Sequence, residues 1–211
     1  MLDTMISKLK AGRSLDWKDT QSGEPELIGI NREGFSKMEK DHYMNLPSNV
    51  YPLFANSLRA NKSQTSEDHL SECAKLFSKF SKVASENPSS WFPKFRSPME
   101  IETVTESNRL VGFPYTKYLN SMIRVNMGSA IVIMSEKLSN ELKIPKNKKI
   151  YIHGSCILND VWNVSKRPKL DESPAIRKCG SEALSQADIS ISDISYFDIY
   201  SCFPSAVQIA L

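Results

Sequence analysis

The segment SYFDIYSCFPSAVQIA, residues 195–210, decides the fold class of this chain. Its first part, Tyr196–Tyr200, is rich in the aromatic and β-branched residues that favour a buried strand. Residues Ser201–Pro204 interrupt this run, and small apolar residues then begin a helix with proline in its first turn. A strand that turns directly into a helix is typical of α/β proteins, which usually hold their functional groups at such turns.

The sequence upstream of this segment has the same alternation. Apolar runs at Ala130–Met134 and Lys149–His153 predict two further strands. Helices are predicted after Ser135, through Leu142, and after Ser173-Pro174. From Ala130 the predicted order is strand, helix, strand, helix, strand, helix, which indicates a layered α/β sheet.

The region before Ala130 is predicted to be helical and irregular. Thr65–Ser85 has apolar residues at helical spacing, a capping residue and acids in its first turn, so it predicts a long amphipathic helix. His69 lies beside the apolar stripe of this helix and is interpreted as a structural core histidine. Residues 13–49 are polar and broken by glycine and proline, which predicts a long surface excursion, and residues 90–120 predict an aromatic-rich loop.

The composition argues against several classes of protein. The chain has 211 residues, of which 40% are apolar, enough to bury a sizeable core. Its net charge is only +3, too little to predict a nucleic-acid partner. There is no apolar stretch long enough to span a membrane and no signal-peptide pattern, so we expect a cytoplasmic protein.

The cysteines and histidines predict neither a zinc site nor a disulfide framework, because no CxxC pair is present and both residue types are scattered. Reduced, buried thiols are therefore expected. The four cysteines are Cys73, Cys156, Cys179 and Cys202, and the three histidines are His42, His69 and His153.

The turn Tyr200–Phe203 is the candidate site that the residues themselves suggest. Cys202 stands at the start of a helix, where the helix dipole favours a thiolate, but a nucleophile also needs a base and no histidine is near in sequence. A structural thiol is therefore favoured over a nucleophile. Tyr200 and Ser201 can orient a water or a carbonyl oxygen by hydrogen bonding. The sequence contains no GxSxG, HExxH, Walker or GxGxxG motif that would decide further.

Several blocks of the chain resemble the thiolase superfamily. Residues 173–211 are similar to the start of the C-terminal thiolase domain, especially in the acetyl-CoA acetyltransferase-like and sterol-carrier-protein branch, where the turn often reads His-Asp-Cys-Phe. Here the turn reads Tyr200-Ser201-Cys202-Phe203. The likeness covers the chain from about Leu9 onward, and its other blocks are VYPLFANSLRA (50–60), FSKVASENPSSWF (80–92), RLVGFPYTKYLNS (109–121) and SAIVIMSEKL (129–138).

This resemblance implies a thiolase-like layered α/β/α fold, incomplete in this sequence, with a mostly helical loop domain. Residues 1–49 would be the end of the N-terminal half with a polar excursion, and residues 50–124 the loop domain that holds coenzyme A. Residues 125–148 would be the last strand and helix of the N-terminal half, and residues 149–211 the start of the C-terminal half. We therefore expect an internal fragment of a protein that forms a homodimer.

The resemblance also implies acyl transfer between coenzyme A thioesters in lipid metabolism, with acyl-CoA as substrate and no covalently bound cofactor. In thiolases one cysteine takes the acyl group, a histidine of a Gly-His-Pro segment helps to activate it, and a second cysteine moves a proton. All three are expected outside this sequence, so we expect no turnover by the isolated chain. A non-catalytic module that binds coenzyme A or an acyl group, or a structural module, is the alternative.

Two sets of site residues follow from the resemblance. Tyr200, with Ser201 and Cys202, corresponds to the turn that fixes a catalytic water in an oxyanion hole. A phenol donates one hydrogen bond but is bulkier than the Asn or His usual there. A serine that contacts coenzyme A in many thiolases corresponds to Ser121 or Met122.

Overall fold

A computed structural model describes residues 2–15, 23–24, 26–30 and 32–211, so parts of the predicted surface excursion lie outside the described residues. The helices are α1 (Leu2–Lys10), α2 (Lys37–Asp41), α3 (Pro47–Asn61), α4 (Ser66–Glu86), α5 (Pro98–Glu102), α6 (Glu136–Glu141), α7 (Pro174–Ala187) and α8 (Pro204–Ala210). The strands are β1 (Leu110–Gly112) and β2 (Tyr115–Thr116). None of the described helices is long and apolar enough to cross a membrane.

The long helix α4 forms where the sequence predicts it. The Thr65 side chain accepts a hydrogen bond from the Asp68 N–H at 3.1 Å, and this caps the first turn. Glu67 and Asp68 place negative charge near the positive end of the helix dipole. His69, which the sequence analysis interprets as a core histidine, is fully buried on this helix.

The hydrophobic core is built on α3 and α4. Helix α4 packs on α5, and α3 packs on both β1 and α8. Because α8 follows the candidate turn, the same core holds the turn in place. Its buried members are Ala55, Cys73, Ala74, Ile101, Tyr115, Leu119 and Phe203.

Two buried polar side chains organise the segment between α5 and the hairpin. The Asn108 amide donates to the carbonyls of Ile101 and Thr103 at 2.9 Å each, and its oxygen accepts from the Tyr118 N–H at 3.0 Å. The Thr116 hydroxyl donates to the Ile101 carbonyl at 2.7 Å. These bonds satisfy carbonyl groups where α5 ends and let β1 and β2 pair as an antiparallel hairpin. Part of the predicted aromatic loop, residues 90–120, is therefore regular structure.

The three predicted strands at residues 130–134, 149–153 and 196–200 are irregular and unpaired. Among the described residues the only sheet is the hairpin of β1 and β2. The apolar side chains of these segments face solvent: Ile131 is 87% exposed, Ile150 95% and Tyr196 92%. The strand prediction is wrong for the described residues, because a β-prone sequence becomes a strand only beside a backbone that pairs with it. The mixed content of helix and strand agrees with an α/β class, and the predicted layering stays a prediction.

A buried carboxylate joins α2 to the connection that precedes α7. Glu39 accepts hydrogen bonds from the Ser165 N–H and hydroxyl at 2.9 Å each, from the Ser36 N–H at 2.7 Å and from the Asn163 amide at 3.0 Å. Chiefly the N–H groups of Ser165 and Ser36 lower the pKa of Glu39 from its ordinary value of 4.5 to about 2. The contact fixes α2 to the connection at Ser165, which is distant from it in the sequence.

We predict that Glu39→Gln lowers the free energy of unfolding by roughly 1–3 kcal/mol at pH 7, because an amide cannot accept all of these bonds. Since the folded pKa is depressed, the stabilisation is present above about pH 4.5 and is lost as the pH falls towards about 2. Wild type and variant should therefore converge at low pH in urea denaturation. Glu33→Gln is the control, since its ion pair with Lys40 is exposed. A difference between wild type and Glu39→Gln that does not change with pH would contradict this account.

We also predict that the isolated chain self-associates through residues 130–134. Unpaired apolar segments of low charge are templates for pairing between copies. Val132→Lys should reduce the associated fraction in sedimentation velocity several-fold, whereas Met127→Lys, exposed but outside the apolar run, should not. Equal effects of the two variants would show that net charge, and not this segment, controls association.

Candidate functional site

The turn before α8 is held by one aromatic side chain. Phe203 is buried, and its ring stacks on Tyr51 of α3 with centroids 4.6 Å apart and planes 12° apart. On another side it contacts Tyr115 of β2, with centroids 5.5 Å apart. Pro204 then begins α8, because its fixed φ suits the first helical turn. The position of the turn is therefore set by the helical core.

The structure brings both predicted sets of site residues to one place. The Ser121 N–H donates a hydrogen bond of 3.0 Å to the carbonyl of Cys202. Ser121 and its neighbour Met122 are exposed beside the turn. The Ser201 hydroxyl donates to the Phe203 carbonyl at 2.6 Å, so this hydroxyl stabilises the turn itself. The functional roles of these residues stay predictions.

Tyr200 lies on the outer side of the turn. It is 81% exposed, and its phenol is close enough to Tyr51 to contribute to that residue's raised pKa. Its hydroxyl is therefore available to a ligand in solution, as the predicted hydrogen-bonding role requires.

Cys202 has the surroundings of a structural thiol. It is half-buried against the core, and its thiol lies beside the Tyr51 hydroxyl. Burial, and then the neighbouring Cys202 thiol, raise the pKa of Tyr51, so the phenol stays neutral at physiological pH. A neutral phenol does not remove a proton from a thiol. The structural interpretation is therefore favoured over the nucleophile, as the sequence indicated.

A layer of buried polar groups lies beneath the turn, and no sequence motif predicts that these groups lie together. The His69 Nε2 is 3.7 Å from the Cys73 Sγ. Burial lowers the pKa of His69 and raises that of Cys73 to about 12, so both are neutral. Ser205, which follows the turn, lies beside Tyr115 in the same layer. Only the spacing of four residues between His69 and Cys73 on one helix could have indicated part of it.

A cavity of about 330 Å³ opens at the start of α7. Its lining combines apolar side chains with charged ones, among them Leu158, Val161, Arg167, Lys169, Glu172 and Pro174. Arg167 also packs on α3, because its guanidinium lies 5.4 Å from the ring centroid of Phe54. Asp160 holds Arg167 at 3.4 Å and accepts a hydrogen bond from the capping Ser173 hydroxyl at 2.6 Å. No group of three or more potential metal ligands occurs in the part of the chain that the structure describes.

The fold is similar to that of a solved thiolase-like protein. Among solved structures, the chain is similar to the monomeric SCP2-thiolase-like protein type 1 of Mycobacterium smegmatis, with a TM-score of 0.71 and 34% sequence identity. The match covers 83% of this chain and 38% of the M. smegmatis chain. The resemblance to the sterol-carrier-protein branch of the thiolases is thereby confirmed.

The chain spans 38% of the length of that solved structure, so the likeness concerns the fold and not the activity of a whole protein. No protein-family model matches the sequence, and no curated protein matches it. The neighbour is described as monomeric, and the homodimer expected for this chain stays a prediction.

We predict that Phe203→Ala destabilises the chain by about 3–5 kcal/mol, because it removes a buried ring from between Tyr51 and Tyr115. Phe197→Ala, an exposed phenylalanine of the preceding segment, should change stability by less than about 0.5 kcal/mol. Chemical denaturation measures both. A small effect of Phe203→Ala would mean that the turn is not held by this core.

Proposed function

We propose that this chain binds and orients a coenzyme A thioester, as the part of a thiolase-like acyltransferase that carries the oxyanion-hole turn. The observation that carries the proposal is its 34% identity, over 83% of its length, to an SCP2-thiolase-like protein. The bond-making groups of a thiolase, the nucleophilic cysteine and the Gly-His-Pro histidine, would come from outside these residues. Acyl transfer would therefore require more than this chain.

The geometry of the turn supports an orienting role. Phe203 and the bond from Ser121 to Cys202 fix the backbone, so a ligand need not order it on binding. The exposed Tyr200 phenol can then donate one hydrogen bond to a thioester oxygen or to a water. Ser121 and Met122, which are exposed beside the turn, are the proposed contacts of the coenzyme A chain.

Charge and shape near the turn support the same ligand class. The cavity at the start of α7 is largely apolar, and Arg167 and Lys169 line it. Both cations are paired with carboxylates, Asp160 and Glu172, which lie 3.4 Å from them. An apolar cavity with charged groups at its rim suits an acyl or pantetheine chain that carries phosphates at its far end.

A second candidate is a module that binds coenzyme A or an acyl group without taking part in chemistry. Two observations favour it: a tyrosine stands where related turns often have histidine, and the neutral Tyr51 phenol beside Cys202 provides no base. Both proposals predict binding, and they differ in whether Tyr200 contributes to recognition of the thioester.

Calorimetric titration of the purified chain with coenzyme A and with acetyl-CoA tests these proposals. We expect binding of both and no release of free thiol from acetyl-CoA. Tyr200→Phe should weaken acetyl-CoA binding about fivefold, the effect of losing a hydrogen bond worth about 1 kcal/mol, and leave coenzyme A binding unchanged. Tyr196→Phe is the matched control, because it is equally exposed four residues earlier.

Each result decides between the candidates. Weaker acetyl-CoA binding by Tyr200→Phe alone supports the orienting role. Equal binding by wild type and both variants supports the non-catalytic module. No binding of coenzyme A by the wild type would reject both, and turnover by the isolated chain would show that it contains its own nucleophile.

A further inference from the structure

Two cysteines outside the candidate site come together where an extended segment crosses α7. Gly154 approaches the helix so closely that a Cβ at this position would be 2.1 Å from the Ala183 carbonyl oxygen. The next residue, Ser155, donates its N–H to the Gln186 side chain at 3.1 Å. The segment is therefore held directly on the surface of α7.

The register of this contact places Cys156 opposite Cys179. Cys179, Ala183 and Gln186 share one face of α7, because they are four and three residues apart. Gly154 lies on Ala183, one helical turn from Cys179, and Cys156 follows Gly154 by two residues. The two thiols are close enough for Cys179 to raise the pKa of Cys156, and both are half-buried.

We propose that Cys156 and Cys179 are a redox modification site, at which a peroxide oxidises the two thiols to an intramolecular disulfide. This inference is independent of the proposed function, because neither cysteine belongs to the candidate turn. The sequence predicts reduced, buried thiols at these positions, and in the structure both cysteines are free and half-buried. The cross-link would fasten the extended segment to α7.

The chemistry assigns the two thiols different roles. The neighbouring Cys179 thiol raises the pKa of Cys156, so Cys156 keeps its proton, and we assign the first attack to Cys179. The Cys179 sulfur loses its proton and attacks one peroxide oxygen, the O–O bond breaks, and the hydroxide released takes up that proton and leaves as water. The Cys156 sulfur then attacks the resulting Cys179 sulfenic acid, the S–S bond forms, and the S–O bond breaks to give a second water. Two thiols are oxidised and one hydrogen peroxide is reduced to two waters.

The other two cysteines are not placed for this reaction. Cys73 is fully buried, and burial raises its pKa to about 12, so it has little thiolate. Cys202 is half-buried against the core beside the Tyr51 phenol, with no second cysteine described as its neighbour. Oxidation should therefore be selective for Cys156 and Cys179.

The test treats the full chain with hydrogen peroxide, blocks remaining thiols by alkylation and maps the digested peptides by mass spectrometry. We expect the loss of two hydrogen atoms and a cross-linked peptide containing Cys156 and Cys179, reversed by dithiothreitol. Cys156→Ser and Cys179→Ser should each abolish the cross-link, whereas Cys202→Ser should retain it. In Cys156→Ser, a dimedone adduct should accumulate on Cys179.

Three results would overturn the proposal. One is recovery of both cysteines in alkylated form after peroxide treatment. A second is a cross-link between two chains, or one that includes Cys202. The third is accumulation of sulfinic acid on Cys179 in the wild type without any cross-link, which would show that Cys156 does not reach the oxidised sulfur.

Discussion

The burial of Phe203 between Tyr51 and Tyr115 is the interaction on which the candidate site depends. It connects α3, the hairpin and α8, which are far apart in the sequence. A buried aromatic ring removes 150–250 Å² of surface from water, which makes it one of the largest single contributions available to a core of this size. Because the ring follows Cys202 directly, the energy that stabilises the core also fixes the backbone of the turn.

The pattern of side chains in a segment does not show whether its backbone has a neighbouring strand to pair with. The run at residues 130–134 has the apolar, β-branched sequence of a central strand, yet it forms no regular element. A helix satisfies its hydrogen bonds within its own segment, whereas a strand needs a neighbour. This difference explains why α4, α7 and α8 form where the sequence predicts them, while three predicted strands remain unpaired.

The local elements could thus be predicted, and the long-range polar contacts could not. Caps and prolines marked the starts of α4, α7 and α8, and the break after Tyr200 marked the turn. Asn108 and Glu39 act through partners that no periodicity reveals, and Glu39 reaches residues more than a hundred positions away. The proximity of Ser121 to the turn was not predicted, because it depends on one backbone hydrogen bond that residue types do not encode.

The contacts of the turn also decide what chemistry it can contribute. The Cys202 carbonyl, the Ser201 hydroxyl and the Phe203 ring are all engaged in holding the turn, and the Cys202 thiol is paired with a neutral phenol. Tyr200 remains as the side chain that can meet a ligand. A single neutral donor on a fixed backbone can orient a polarised oxygen, but it neither forms nor breaks a covalent bond. The turn is therefore suited to the orienting role that we propose for it.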